Sequence, residues 1–111
     1  MTFKQEINKG IGKVLLNSGH KLRIITKEVL YFSKRFSDDL AFYICCADSR
    51  KLNQGIEVMF YFTPVHQADD TIERLGVGIK INLGNIMDED IIPKATEYGN
   101  KILSIERNIG C

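Results

Sequence analysis

Leu40–Ala47, with the sequence LAFYICCA, is the longest uninterrupted apolar run in this 111-residue chain and carries the strongest information about its fold. Its length is that of a β-strand. Side chains of a strand point alternately to its two faces, so an apolar residue at every position indicates that both faces are covered. We therefore expect Leu40–Ala47 to be a central strand of a sheet.

Two further strands are expected on its C-terminal side. Apolar residues alternate with other residues along Ile56–Phe62, and Pro64 ends the ladder because it lacks a backbone N–H donor. A second alternation runs along Leu75–Leu83 and predicts a half-exposed fourth strand. Gly84-Asn85 is expected to turn the chain after it.

The segment Lys21–Phe36 carries two competing patterns. Apolar residues recur at helical spacing, as at Leu22, Ile25 and Val29, yet the density of β-branched and aromatic residues favours a strand. We assign a strand with a bend or bulge near Lys27-Glu28, and a helix remains the alternative.

Helices are expected at both ends of the chain. Thr2 and Gln5 have the spacing of a capping box, and an apolar stripe continues to Ser18 before Gly19 ends the helix. Between Asp90 and Arg107, apolar residues recur every three or four positions and predict a C-terminal helix.

The predicted order is a helix, four strands and a helix, with short connections that favour antiparallel neighbours. We therefore predict an α+β fold in which the helices pack on one face of a four-stranded antiparallel meander sheet. No repeat, linker or low-complexity segment marks a boundary, so residues 1–111 are expected to form a single domain.

Composition restricts the class of protein. Lys and Arg total 15 against 14 Asp and Glu, and 44% of the residues are apolar, which excludes a disordered chain. No apolar run reaches the length of a membrane span, and the polar N-terminus does not have the pattern of a secretory signal. We expect a cytoplasmic protein that does not associate with a membrane.

The chain carries few candidates for metal or cofactor chemistry. Cys45, Cys46 and Cys111 lack the spacing of a zinc site or a disulfide framework, and the glycines of residues 76–78 lie in a predicted strand rather than in a nucleotide loop. His20 is expected to cap the preceding helix by contacting its last carbonyl groups. No metal, cofactor or catalytic residue is predicted.

His66 carries the enzymatic alternative. Asp69 and Asp70 follow it by three and four residues, and a carboxylate at that spacing could orient the imidazole for acid–base chemistry. No serine or cysteine nucleophile in a recognisable setting accompanies them. A small enzyme using this site is therefore kept only as an alternative.

Charge is unevenly distributed along the chain. Residues 1–51 carry a net charge of +5 and residues 52–111 a net charge of −4. The basic residues that could form a nucleic-acid footprint are Lys4, Lys9, Lys13, Lys21, Arg23, Lys27, Lys34 and Arg35. The chain is not basic overall and its aromatic residues lack the spacing of an RNA-recognition motif, so a nucleic acid is not the expected partner.

Six acidic residues flank the predicted fourth strand and are candidate partner-binding residues: Asp69, Asp70, Glu73, Asp88, Glu89 and Asp90. Their charges would attract a basic protein and raise its association rate. The alternative is that they solvate loops and favour the N-terminus of the last helix.

The chain is small, lacks a catalytic constellation, and has a composition that is rich in isoleucine, with 15 residues, and that contains lysine and asparagine. In these respects it resembles the small cytoplasmic immunity proteins of bacterial toxin systems, including those of contact-dependent growth inhibition. The resemblance implies a non-enzymatic domain that binds and neutralises a cognate toxin, often a basic nuclease. Two alternatives remain. One is a chaperone or adaptor with an exposed apolar stripe at Met59 and Tyr61, and the other is a homodimer that covers the same stripe.

Overall fold

The computed structural model describes residues 2–38, 40–64, 79–87 and 89–110. The elements in chain order are α1 (Phe3–Lys9), α2 (Ile11–Asn17), β1 (Lys21–Ile24), β2 (Val29–Arg35), β3 (Leu40–Asp48), a short 3₁₀ helix (Arg50–Leu52), β4 (Ile56–Pro64), β5 (Ile79–Ile86) and α3 (Ile91–Gly110). The strands form one antiparallel sheet in the order β1-β2-β3-β4-β5. The predicted α+β fold is confirmed, with five strands in place of four.

β3 occupies the centre of the sheet, as its apolar sequence predicts. It pairs with β2 along one edge and with β4 along the other. Every residue from Ala41 to Cys46 is buried. Ile44 lies in the core beneath the helices, whereas Tyr43 belongs to a second cluster on the opposite face.

The segment Lys21–Phe36 forms strands rather than a helix, but two of them rather than one. The bend predicted near Lys27-Glu28 is a hairpin turn, in which the N–H groups of Ile25 and Thr26 each donate to the carbonyl oxygen of Val29 at 3.0 Å. The single-strand prediction was wrong because a reversal of the chain and a bend carry the same local sequence signal. The hairpin adds the fifth strand.

The predicted opening helix is broken into α1 and α2 at Gly10. The capping box of Thr2 and Gln5 is present at its start. A Cβ atom at Gly10 would lie 2.7 Å from the Cβ of Ala95 in α3. Glycine therefore allows α3 to pack directly against the break, a helix-to-helix contact that periodicity along one segment does not reveal.

β5 extends further than predicted. Gly84 and Asn85, expected to form a turn, lie inside β5, where the pairing with β4 changes register beside Val58. Gly84 has φ +121°, which suits glycine in a bulge and keeps the strand in the sheet. Of the predicted strand Leu75–Leu83, residues 75–78 lie outside the described part of the chain.

The main core lies between the helices and one face of the sheet. Side chains with 0% exposure in it include Ile7, Ile11, Leu15, Phe32, Phe60 and Ile102. They come from α1, α2, α3 and the sheet, so both predicted helical regions bury their apolar stripes against the strands. This packing brings the C-terminal part of α3 close to the end of α2.

Candidate functional site

The structure describes only part of the predicted acidic set. Glu89 and Asp90 are exposed and directly precede α3. Outside the described residues lie Asp69, Asp70, Glu73 and Asp88, together with His66. Pro64 and Ile79, which bracket residues 65–78, are at the end of the sheet opposite to Glu89 and Asp90. The described acidic residues are therefore not next to the ends of that stretch.

A helix-ending motif positions His20. The N–H of Gly19 donates to the carbonyl oxygen of Leu16 at 3.3 Å, and the N–H of His20 donates to that of Leu15 at 3.0 Å, which is the pattern of a Schellman motif. Gly19 has φ +90°, a conformation that favours glycine. Gly19 thus ends α2 as predicted, and His20 is buried directly after it.

Both ring nitrogens of His20 contact acceptor groups of the protein. Nδ1 lies 3.0 Å from the carbonyl oxygen of Leu15, which confirms the predicted capping role. Nε2 lies 2.7 Å from Oε2 of Glu106 in α3. A carbonyl oxygen cannot donate, so Nδ1 carries a hydrogen, and the contact between Nε2 and Oε2 requires a second one. The pair holds one shared proton, either as imidazolium and carboxylate or as neutral imidazole and carboxylic acid.

This arrangement leaves His20 no free nitrogen for a substrate. Its side chain is 0% exposed and Glu106 is 7% exposed, so the pair lies inside the protein. The pair joins the end of α2 to α3, although His20 and Glu106 are far apart in the sequence. The signal that sequence analysis missed is Glu106 itself, a charged residue four positions after Ile102 in the apolar stripe of α3.

The two described cysteines, Cys45 and Cys46, are also poor candidates for a nucleophile. Burial, with a smaller effect of the nearby Glu57 carboxylate, raises the pKa of the Cys45 thiol to about 11. Burial raises the pKa of Cys46 further above its ordinary value. Because the thiolate is the nucleophilic form of cysteine, both side chains are unreactive at neutral pH, which agrees with the apolar setting inferred from the sequence.

A groove of about 420 Å³ opens beside this pair, between the end of α2, the end of β2 and the C-terminal half of α3. It is lined by Ser18, Lys34, Arg35, Phe36, Phe42, Leu103, Glu106 and Arg107. Three of these residues are cations, and the carboxylate among them contacts His20 through Oε2. We call this surface the basic groove.

A second groove of about 490 Å³ adjoins the basic groove and shares Lys34 and Arg35 with it. Lys21 adds a further cation to its lining, and Tyr43 adds an aromatic ring. The fold thus brings together three of the eight basic residues that the sequence singled out. Arg107 joins them from α3, and it was missed because it is distant in the sequence.

The sheet face opposite the helices carries a cluster of Tyr31, Ala41, Tyr43, Cys45 and Tyr61, each between 2% and 8% exposed. The guanidinium carbon of Arg23 lies 5.8 Å from the ring centre of Tyr31, and Nζ of Lys80 lies 5.8 Å from that of Tyr61. Since Tyr61 is buried, the exposed apolar stripe that the adaptor alternative requires is not found at that residue.

No group of three or more His, Cys, Asp or Glu side chains in the described ranges is arranged to hold a metal ion. Within the same residues, no helix is both long and apolar enough to cross a bilayer. No family model, curated protein or solved structure matches this chain. Function is therefore inferred from the site itself.

Proposed function

We propose that this chain is a non-enzymatic protein-binding domain that binds and neutralises a toxin, in the manner of the immunity proteins it resembles. The observation that carries the proposal is the basic groove, where Lys34, Arg35 and Arg107 stand beside Phe36, which is 43% exposed. Arginine and aromatic side chains are enriched among the residues that dominate binding energy at protein interfaces.

The chemistry of the buried groups supports binding over catalysis. A general base needs a nitrogen or oxygen within reach of a substrate proton, and both nitrogens of His20 are occupied by Leu15 and Glu106. A nucleophilic cysteine needs a depressed pKa, whereas the pKa values of Cys45 and Cys46 are raised. The enzymatic alternative at His66 lies outside the described residues.

We further propose that the acidic residues attract the toxin before contact. They are Asp69, Asp70, Glu73, Asp88, Glu89 and Asp90. A basic toxin such as a nuclease domain would be drawn by them at long range, and complementary charge raises association rates by orders of magnitude at low salt. Neutralisation would take place in the cytoplasm and would need no cofactor, because occlusion of the toxin is sufficient.

The test is co-expression of this chain with the protein encoded by the neighbouring upstream gene. We expect that protein to stop growth when expressed alone and growth to be restored by this chain. With purified proteins, inhibition should be complete at about one chain per toxin, because an occluding protein acts by stoichiometric binding. The control is His66→Ala, which should inhibit as well as wild type.

Two results would contradict the proposal. A neighbouring protein that neither stops growth nor forms a complex with this chain would remove the toxin as partner. The other result is neutralisation of the toxin by much less than one chain per toxin molecule, with loss of this effect in a folded His66→Ala variant. It would show that the chain is a catalyst and would favour the alternative at His66.

A further inference from the structure

We propose that the basic groove binds an acidic segment of the protein partner that also inserts one apolar side chain. The inference rests on the proposed function, and it specifies the chemistry of the partner at this surface. It differs from the role given to the acidic residues, which act on a basic partner surface at a distance. The two kinds of contact engage different parts of one partner.

The charges of the groove call for an anionic ligand. In the described part of the chain, no carboxylate lies within ion-pair distance of Lys34 or Arg107. Arg35 donates from Nη1 to the carbonyl oxygen of Asp38 at 3.3 Å, and no carboxylate among the described residues lies within ion-pair distance of it. Glu106 shares a proton with His20 and so does not balance these cations. Carboxylates of a partner would complete the local charge balance.

The groove also has an apolar wall. Phe36 is 43% exposed, and its ring packs at steep angles against Phe42 and Phe62, with ring centres 5.6 and 5.2 Å away. Leu103 lines the groove together with Phe36 and Phe42. An aliphatic or aromatic side chain placed here would remove exposed ring surface from water. Cations beside an apolar wall fit a peptide that combines acidic and apolar residues.

The size of the groove favours a short peptide over a nucleic-acid strand. Sites for single-stranded nucleic acid extend over roughly 4–16 nucleotides and follow the phosphate backbone along a track. The basic groove, at about 420 Å³, has the volume of a small-ligand site instead.

Binding by side chains is favoured over addition of a strand. β1 begins at Lys21, which pairs with Ser33, so only Lys34 and Arg35 of β2 extend beyond β1 at this edge. Two residues provide too short an edge for a stable strand pairing. The peptide would be recognised by the charged and aromatic side chains around the groove.

Two sets of contacts hold the walls of the groove together. The Schellman motif holds Ser18 and Gly19 at the end of α2, and the contact between His20 and Glu106 ties that end to α3. Elements that are held in place in advance lose less entropy on association. This arrangement gives the buried pair a role in positioning the binding surface.

The experiment selects binders from a random peptide library on the immobilised full chain. Enriched peptides should combine Asp or Glu with Phe, Leu or Ile. In fluorescence anisotropy, Lys34→Gln/Arg107→Gln should weaken their binding about tenfold or more, and added salt should weaken wild-type binding because the attraction is screened. The matched control is Lys4→Gln/Lys27→Gln, which removes two exposed lysines outside the groove and should leave affinity unchanged.

Thermal melting of each variant verifies that it is folded. If the double variant is unstable, the single variant Arg107→Gln, at an exposed position, replaces it in the binding measurement. Selected peptides that are not enriched in Asp or Glu would overturn the inference. So would peptides that bind Lys34→Gln/Arg107→Gln, here called the groove variant, as tightly as they bind wild type. Binding of oligo-dT that the groove variant loses, in the absence of peptide binding, would assign the groove to nucleic acid and also overturn it.

The co-expression assay separates this inference from the proposed function. If wild type and Lys34→Gln/Arg107→Gln neutralise the toxin equally well, the groove is not the contact and the proposed function stands. If wild type does not neutralise the toxin, the proposed function fails, whatever the peptide selection shows.

Discussion

The His20 imidazole and the Glu106 carboxyl group share one proton in the interior, 2.7 Å apart, while Nδ1 of His20 donates to Leu15. Removing a single member of such a pair leaves a buried polar group without its partner, whereas removing both replaces polar atoms with apolar ones. Comparing the loss of stability in the single and double variants therefore distinguishes the contribution of the pairing from that of side-chain packing.

We predict that His20→Leu lowers the free energy of unfolding by about 3–5 kcal/mol, because Glu106 then loses its buried partner. The double variant His20→Leu/Glu106→Leu should recover most of that loss. Urea unfolding of the two variants and wild type measures both values. Equal destabilisation by the single and double variants would show that the pair is not coupled.

A second prediction concerns pH. Cys45 has its pKa raised from 9.0 to about 11 in the folded chain, and that of Cys46 is also raised. Well below pH 9 both thiols are protonated in the folded and in the unfolded chain, so their titration costs no stability there. Between pH 9 and 11 the unfolded chain loses protons that the folded chain keeps, so stability falls by about 1 kcal/mol per thiol at pH 10.

Urea unfolding at pH 8 and pH 10 under reducing conditions measures this fall. The double variant Cys45→Ala/Cys46→Ala provides the control, since titration of lysine and tyrosine side chains is common to both proteins. An equal fall in the variant would show that the cysteines do not contribute.

At the scale of elements, β3 derives its position from burial on both faces and pairing on both edges. Native-state hydrogen exchange should find the amides of β3 among the slowest in the chain, because they open only with the whole sheet. β1, a four-residue edge strand that is mostly exposed, should exchange much faster. Exchange of β3 as fast as that of β1 would contradict a core centred on this strand.

The apolar stripes of α3 and β5 predict that Ile102 and Ile79 both lie in the core. Ile102 is 0% exposed, whereas Ile79 is 48% exposed, so the expectation for Ile79 was wrong. We predict a loss of about 2–5 kcal/mol for Ile102→Ala through transfer and cavity effects, and less than about 1 kcal/mol for Ile79→Ala. The denaturant midpoints of the two variants measure these losses. Similar shifts of the two midpoints from the wild-type value would contradict the prediction.

At the scale of the whole molecule, the small net charge of +1 conceals a basic groove and an acidic second half. The triple variant Asp69→Asn/Asp70→Asn/Glu73→Gln should slow association with the toxin at low salt and much less at high salt. The reason is that long-range attraction is screened beyond about 8–10 Å at physiological ionic strength. Stopped-flow mixing over a salt series measures the rate.

The groove variant Lys34→Gln/Arg107→Gln serves as a comparison in that experiment, because its main effect is expected on dissociation. A triple variant that associates at the wild-type rate at every salt concentration would show that Asp69, Asp70 and Glu73 only solvate their segment.

The features that could be predicted from the sequence are those that depend on neighbouring residues. The capping box at Thr2, the helix stop at Gly19 and the strand Leu40–Ala47 are each encoded within a few residues. Periodicity records which face of an element meets water, so it also identified α3 and β4. The α+β class follows from their order along the chain.

The tertiary structure was needed to reveal the break at Gly10, the bulge at Gly84 and the groove that joins Lys34 to Arg107. Each depends on groups far apart in the sequence. Gly10 is required only because Ala95 packs against it, and Glu106 is tolerated inside the protein only because His20 reaches it. A local pattern carries no information about such partners, since the energies that favour them arise when the elements pack together.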